Sequence, residues 1–165
     1  MTVESIRVRY VAVRDPEVRP LLDDLHLEYT SRYGPNDEIN RYPDDEFSPA
    51  RGGVFLVLVE GGRTVAGGAF RRYDERTAEL KRIWTHRDHR RRGLGAAVVR
   101  ELEREAVRQG YRRIYLATGP RQPEAAGLYL STGYTPLYDL RAAPETVGPH
   151  LFEKDLGPLA QGAPR

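Results

Sequence analysis

Between Thr85 and Gly95 the chain reads Thr-His-Arg-Asp-His-Arg-Arg-Arg-Gly-Leu-Gly, and these residue types suit the binding of a polyphosphate. The segment leads into the most regular amphipathic pattern in the sequence, Gly93 to Gln109, where Leu94, Val98, Leu102 and Ala106 recur at steps of four. The first amides of a helix have no acceptor within it, and the helix dipole adds partial positive charge there, so anions gather at that end. Gly93 and Gly95 keep side chains away from those amides, while Arg90, Arg91 and Arg92 add charged forks. The spacing is neither that of the nucleotide P-loop, which needs Lys-Ser/Thr after its second glycine, nor the three-glycine dinucleotide fingerprint.

The elements that must position this cradle follow from periodicity. Ile6 to Val13 alternate as a strand, and Leu21, Leu22, Leu25 and Tyr29 then fall at helical spacing after Asp15-Pro16. From Tyr33 to Gly53 the pattern fades into Gly, Pro and acidic residues, predicting a loop with room for a short helix. The acidic stretch Asp37 to Glu46 is read as solvated, with attraction of cationic substrates as the alternative. Val54 to Val59 and Thr64 to Phe70 flank Gly61-Gly62, a hairpin signal. Arg71 to Arg76 predict a further turn, and Thr77 to Thr85 a further strand. After the Gly93–Gln109 helix, closed by Gly110, come a strand at Tyr111 to Ala117, a short helix at Pro123 to Leu130, and extended stretches at Tyr134 to Leu140 and Leu151 to Leu156. Residues 157–165, rich in Pro, Gly and Ala, are expected to form a flexible tail.

The 165 residues suit one domain, 1–156, and a hydrophobic fraction of 39% is enough for a core. With 26 basic against 24 acidic residues the net charge is +2, too balanced for a nucleic-acid binder that must neutralise many phosphates. All the basic residues except Lys81 and Lys154 are arginine. The longest apolar run, Val54 to Val59, falls far short of the roughly 20 residues of a membrane span. The first residues carry no basic and apolar leader, so the expectation is a cytoplasmic protein beginning at Met1. The absence of cysteine removes disulfides, thiolate nucleophiles and Cys-ligated metals. His86, Asp88 and His89 lie too close in sequence, without a fourth partner, to make a good zinc site, and no metal is expected.

Arg90-Arg91-Arg92-Gly93-Leu94-Gly95 after a strand and before a helix resembles the acyl-coenzyme A motif of the GNAT N-acetyltransferase superfamily, Gln/Arg-x-x-Gly-x-Gly/Ala. Two further stretches resemble the same family. Ala78-Glu79-Leu80-Lys81-Arg82-Ile83-Trp84 looks like its fourth strand, with Glu79 eleven residues before Arg90, the position of a frequent general base. Gln122-Pro123-Glu124-Ala125-Ala126-Gly127-Leu128-Tyr129, ending at Gly133-Tyr134, resembles its Asn-x-x-Ala-x-x-Leu-Tyr-x-x-x-Gly-Phe/Tyr motif. Gln122 stands where Asn is usual, and Thr85 where Val is common.

The resemblance implies an α/β fold of GNAT type, with a mixed, twisted sheet of six to seven strands and about four helices. It implies acetyl transfer from acetyl-CoA to a primary amine, on a small molecule or a peptide, by direct attack in a ternary complex. The main chain of Ile83, Trp84 and Thr85 would pair with the pantetheine arm. The amides of Arg91, Arg92, Gly93, Leu94, Gly95 and Ala96, with the arginine side chains from Arg90 onward, would hold the phosphates, and Gln122 would contact the cofactor. Glu79 would take the amine's proton, directly or through water, unless Lys81 or Arg72 claims it as an ion pair. Tyr129 would protonate the departing thiolate, or else simply pack in the core. Dimers are common in the family, so the resemblance leaves a homodimer possible, and the sequence alone does not fix the oligomeric state. The alternative from another class is a non-catalytic acyl-CoA-binding regulatory domain, which would keep the cradle and not need Glu79 or Tyr129.

Overall fold

A computed structural model describes residues 5–157. Seven strands, β1 (Arg7–Tyr10), β2 (Val54–Glu60), β3 (Arg63–Arg72), β4 (Thr77–Thr85), β5 (Arg113–Thr118), β6 (Thr135–Pro136) and β7 (His150–Asp155), form one sheet in the order β1-β2-β3-β4-β5-β7-β6. Every pairing is antiparallel except that of β4 with β5. The helices are α1 (Arg19–Tyr33), α2 (Leu94–Arg108) and α3 (Pro123–Ser131). About four were expected. The region after α1 supplies only short 3-10 turns at Glu38–Asn40, Asp44–Phe47 and Pro49–Arg51, because Pro43 and Pro49 interrupt any longer run. The strand expected over Tyr134 to Leu140 is reduced to Thr135–Pro136. Most of the expected tail lies outside the described residues, and only Gly157 falls within them.

The sheet is covered on both faces, which explains the unbroken apolar run in β2. Val54, Leu56 and Leu58 pack with Val98, Val99 and Leu102 of α2, and Phe55, Val57 and Val59 pack with Leu21 and Leu25 of α1. Successive β residues point to opposite faces, so a strand buried twice has no polar side to show. On the outer side of α2, i,i+3 pairs form at 2.8 Å for Glu101–Arg104 and 3.0 Å for Glu105–Arg108.

One irregularity shapes the centre of the sheet. Between the pairs Gly67–Trp84 and Ala69–Lys81, β3 contributes Gly68 alone while β4 contributes Arg82 and Ile83. Arg82 takes φ 59°, a left-handed conformation uncommon for a residue with a Cβ. Opposite it, a Cβ on Gly68 would stand 2.6 Å from Ile83 Cδ1 and 3.0 Å from Val98 Cγ1, so glycine lets those side chains close over the bulge. An extra residue bends a strand and sharpens its twist. Accordingly β4 pairs with β5 only from Thr77–Arg113 to Glu79–Tyr115. Beyond that point β5 stays with β7 as far as the Thr118–His150 pair, and β4 parts from it.

Candidate active site

The opening between the parted strands is a cavity of about 510 Å³. Leu80 to Ile83 form one wall and Leu116 to Thr118 another, Gln122 and Tyr129 close it from α3, and Tyr29, Tyr33 and Tyr42 come from the α1 side. From Leu80 onward β4 has no strand partner on this side among the described residues. The Ile83–Thr85 stretch singled out from the sequence begins at this free edge. Ile83 lies on the cavity wall, and Trp84 turns to the other face, where its Nε1 donates to Asp24 of α1 at 2.6 Å. Thr118, on β5, brings a buried hydroxyl without a partner to the cavity wall. A stranded polar group of this kind is rare in a folded interior and suits a site that receives a polar ligand.

At the end of β4 the chain turns through Arg87–His89 into α2. The first intrahelical bond beyond the turn runs from the Ala97 amide to the Gly93 carbonyl at 3.0 Å, so the amides of Leu94, Gly95 and Ala96 come before the ladder and remain available. Arg91 at φ 64° and Gly93 at φ 75° are both left-handed, which curls the entry loop around those amides. The two glycines differ in purpose. A Cβ at Gly93 would meet open space, so its backbone angle is what calls for glycine. A Cβ at Gly95 would lie 3.3 Å from Leu128 Cδ2, so Gly95 also lets α3 approach α2. The arginines differ too. Arg92 is tied to both oxygens of Glu60, at 3.0 and 2.6 Å, and to His89 Nδ1 at 2.8 Å. This hydrogen bonding holds the Glu60 carboxyl below its usual range. Arg92 therefore offers an anion its amide, whereas Arg90 and Arg91 are in no ion pair among the described residues.

Tyr129 lies against Tyr134 and Phe152, with ring centroids 5.5 and 5.7 Å away. It also lines the cavity. Its hydroxyl forms no hydrogen bond with the described residues. Burial pushes the phenol well above its ordinary range, so it keeps its proton at any physiological pH. Gln122 lies on the cavity wall with its Oε1 already engaged, accepting from the Gly119 amide at 3.0 Å and from the Tyr33 hydroxyl at 3.4 Å. It thus braces the β5–α3 turn and leaves only its NH2 free for a ligand.

Glu79 is 5% exposed. Arg71 Nη1 donates to its Oε1 at 2.8 Å, and Lys81 Nζ stands 3.4 Å from its Oε2. Arg71, rather than Arg72, is the hairpin cation, because Arg71 is the residue directly opposite Glu79 in the ladder. Arg72 instead lies over the Tyr111 ring at 5.3 Å. Arg71 also contacts Glu46 at 3.3 Å, and both Arg71 and Lys81 sit over the Tyr42 ring, at 4.5 and 4.8 Å. Lys81 and Tyr42 border the cavity and Glu79 stands behind them.

Three features escaped the sequence reading. The acidic stretch is not a field of free carboxylates: Glu38 pairs with Arg41 at 3.6 Å, Asp44 with Arg14 at 2.7 Å, Asp45 with Arg51 at 3.0 Å, and Glu46 with Arg71. Glu103 of α2, 3% exposed, accepts from the Tyr134 hydroxyl at 2.8 Å and from Lys154 at 3.1 and 3.2 Å. It follows Val99 by four residues, and so belongs to the buried stripe. Arg82 lies in the cavity wall, although consecutive Lys81 and Arg82 break strand alternation and could have signalled the bulge. Among the described residues no group of three His, Cys, Asp or Glu is placed to hold a metal, and His86 Nδ1 accepts from the Asp88 amide at 3.1 Å. No described helix is long and apolar enough to cross a membrane.

With this geometry in place, comparison with known proteins gives consistent results. The model of the acetyltransferase (GNAT) family matches residues 19–134. The uncharacterized N-acetyltransferase YsnE of Bacillus subtilis is 32% identical over 83 residues, covering 49% of this chain and 55% of that protein. The chain thus matches about half the length of that curated relative. An acetyltransferase from Streptococcus agalactiae superposes with a TM-score of 0.70 at 18% identity, over 91% of this chain and 98% of that one. A GNAT family acetyltransferase from Elizabethkingia anophelis with acetyl-CoA bound gives 0.64 at 14% identity, over 91% and 97%.

Proposed function

The chain belongs to the GNAT acetyltransferase family, and from that premise we propose that it moves an acetyl group from acetyl-CoA to a primary amine by direct attack in a ternary complex, with the cytoplasm as its setting. The observation that carries this reading is the wedge between β4 and β5. A free strand edge and a stranded hydroxyl open onto one cavity, and an unpaired helix mouth follows at the end of β4. Such a wedge suits a long, thin ligand with amide groups along its arm and phosphates at one end. Backbone pairing along Ile83 to Thr85 would hold the arm, the amides from Arg91 to Ala96 with Arg90 and Arg91 would hold the phosphates, and the NH2 of Gln122 would add a donor. When bound, acetyl-CoA supplies an activated thioester.

The protein's own groups then have distinct tasks. Tyr129 lines the cavity with a protonated, uncommitted hydroxyl, and would donate to the departing sulfur. Glu79 stands behind Lys81 and Tyr42, so it would receive the amine's proton through water rather than by direct contact.

A second reading has one observation on its side. Both oxygens of Glu79 are engaged by cations, as a purely structural carboxylate would be, and a non-catalytic acyl-CoA-binding domain would keep the cradle unchanged. Calorimetry with acetyl-CoA, followed by thioester cleavage with a panel of amines, separates the two. Binding heat with amine-dependent release of free thiol is expected. Binding without turnover for any amine supports the sensor, and no binding heat at all rejects both.

A further inference from the structure

Arg82 is 9% exposed and lines the cavity. A guanidinium has five N–H donors. The protein engages one of its nitrogens, Nη2, with the Ile39 carbonyl at 2.6 Å, and lays the group over the Phe47 ring at 4.6 Å. Among the described residues no carboxylate lies within ion-pair distance of it. Its cationic neighbours differ on this point: Arg71 has Glu79 and Glu46, Lys81 has Glu79, and Arg41 has Glu38. The acids nearest in charge terms, Glu38 and Asp44, are bound to Arg41 and Arg14.

A buried charge without a partner is costly, and burial indeed works against the charged form of Arg82. The bulge holds the residue there regardless, because φ 59° at Arg82 belongs to the same irregularity that opens the sheet. We infer that the acceptor amine carries a carboxylate, and that the unspent guanidinium of Arg82 is the group that receives it. The planar fork matches a carboxylate's two oxygens. Tyr29, on the same cavity wall, is pushed up to about 12, chiefly by burial, so it offers a neutral hydroxyl beside the anion. Arg82 is not a further phosphate ligand. Ile83 and Thr85 turn toward α2, where Ile83 reaches the Gly68 and Val98 contact and Thr85 approaches Gly95, while Arg82 turns to Ile39 on the α1 side. This sign is opposite to that of the cationic substrates the acidic loop had suggested. The substrate class is amines bearing a carboxylate, amino acids foremost.

The inference rests on the acetyl-transfer reading for its amine, but its carboxylate can be tested apart from turnover. Titrations of the intact protein, with coenzyme A present, compare N-acetyl amino acids with their primary amides. Wild type is expected to favour the acid by at least ~30-fold in Kd for some member of the panel. Arg82→Gln is expected to remove that preference while amide binding stays within about threefold, and Arg82→Lys, which keeps the charge without the fork, to fall between. Acid and amide binding alike to the wild type overturn the inference, whatever the variants do. Equal loss of both ligands in both variants also overturns it. Acid-selective binding with no amine acetylated upholds the carboxylate site and rejects acetyl transfer.

Discussion

Two buried glutamates, one on each face of the sheet, each hold one of the chain's two lysines, and only one of those lysines borders the cavity. Glu103 sits beneath Lys154 and the Tyr134 hydroxyl, and Lys154 adds a bond to the Thr132 carbonyl at 2.9 Å. That cluster joins α2, the end of α3 and β7, with its donors and acceptors matched. Glu79 has a comparable set, Arg71 and Lys81 beneath Tyr42, yet its lysine forms part of the cavity wall. Both are buried carboxylates that hold a lysine, with Arg71 as the second partner in one place and the Tyr134 hydroxyl in the other. The difference lies in where the sheet opens, so access, more than composition, separates a clamp from a site.

The comparison can be broken first at the clamp. Glu103→Ala takes the carboxylate from the buried Tyr134 phenol and from the half-buried Lys154 ammonium, which keeps only the Thr132 carbonyl, and should cost about 3 kcal/mol of stability in urea unfolding, with kcat per folded molecule unchanged. A loss under about 1 kcal/mol would mean that the cluster is hydrated after all. At the other glutamate the expectation reverses. Glu79→Gln keeps the shape and should lower kcat by about 10²-fold, near 2.7 kcal/mol of barrier, with stability falling less than in Glu103→Ala. Unchanged kcat would place Glu79 in the same class as Glu103.

The neighbouring tyrosines sharpen the contrast. Tyr134→Phe removes a hydrogen bond to a charged group and should cost about 1.5–3 kcal/mol of stability and no activity. Tyr129→Phe loses no protein hydrogen bond, so its melting temperature should hold, while kcat falls about tenfold. A thiolate with a reference pKa of about 8.5 is a fair leaving group already and gains only modestly from an acid. Because burial raises the Tyr129 phenol, the neutral, proton-donating form persists as pH rises through 10. The alkaline limb of the wild-type rate profile below that pH should therefore be the same in Tyr129→Phe. The smallest effect lies farther off: Gly93→Ala, at a left-handed position with open space around it, should cost about 1 kcal/mol of stability and weaken coenzyme binding by calorimetry.

Much of this was legible from the residues. The all-apolar β2, the step-of-four pattern of α2 and the arginine–glycine entry loop each express a local rule, and local rules survive folding. What could not be read depends on register. Arg71 appears as a turn residue until the ladder extends to Arg72–Ala78 and sets it opposite Glu79. Glu103 and Lys154 are far apart in sequence, and only the fold brings their side chains together from α2 and β7. The loop acids looked free because their arginine partners, Arg14 and Arg71 among them, come from elements brought near by the fold. Gln122 showed its amide but not that the Gly119 turn would use the oxygen first.

The surplus residue of β4 is a backbone irregularity shared with its neighbours, and the Arg82 side chain braces only Ile39 and Phe47, so exchanging it is expected to leave the helix mouth and Tyr129 in place. Asparagine tolerates left-handed backbone and would turn the anchor neutral, and glycine would erase it. On the proposed reading, choice of acceptor and transfer chemistry are thus mounted on separate fittings, and the first could be retuned without dismantling the second.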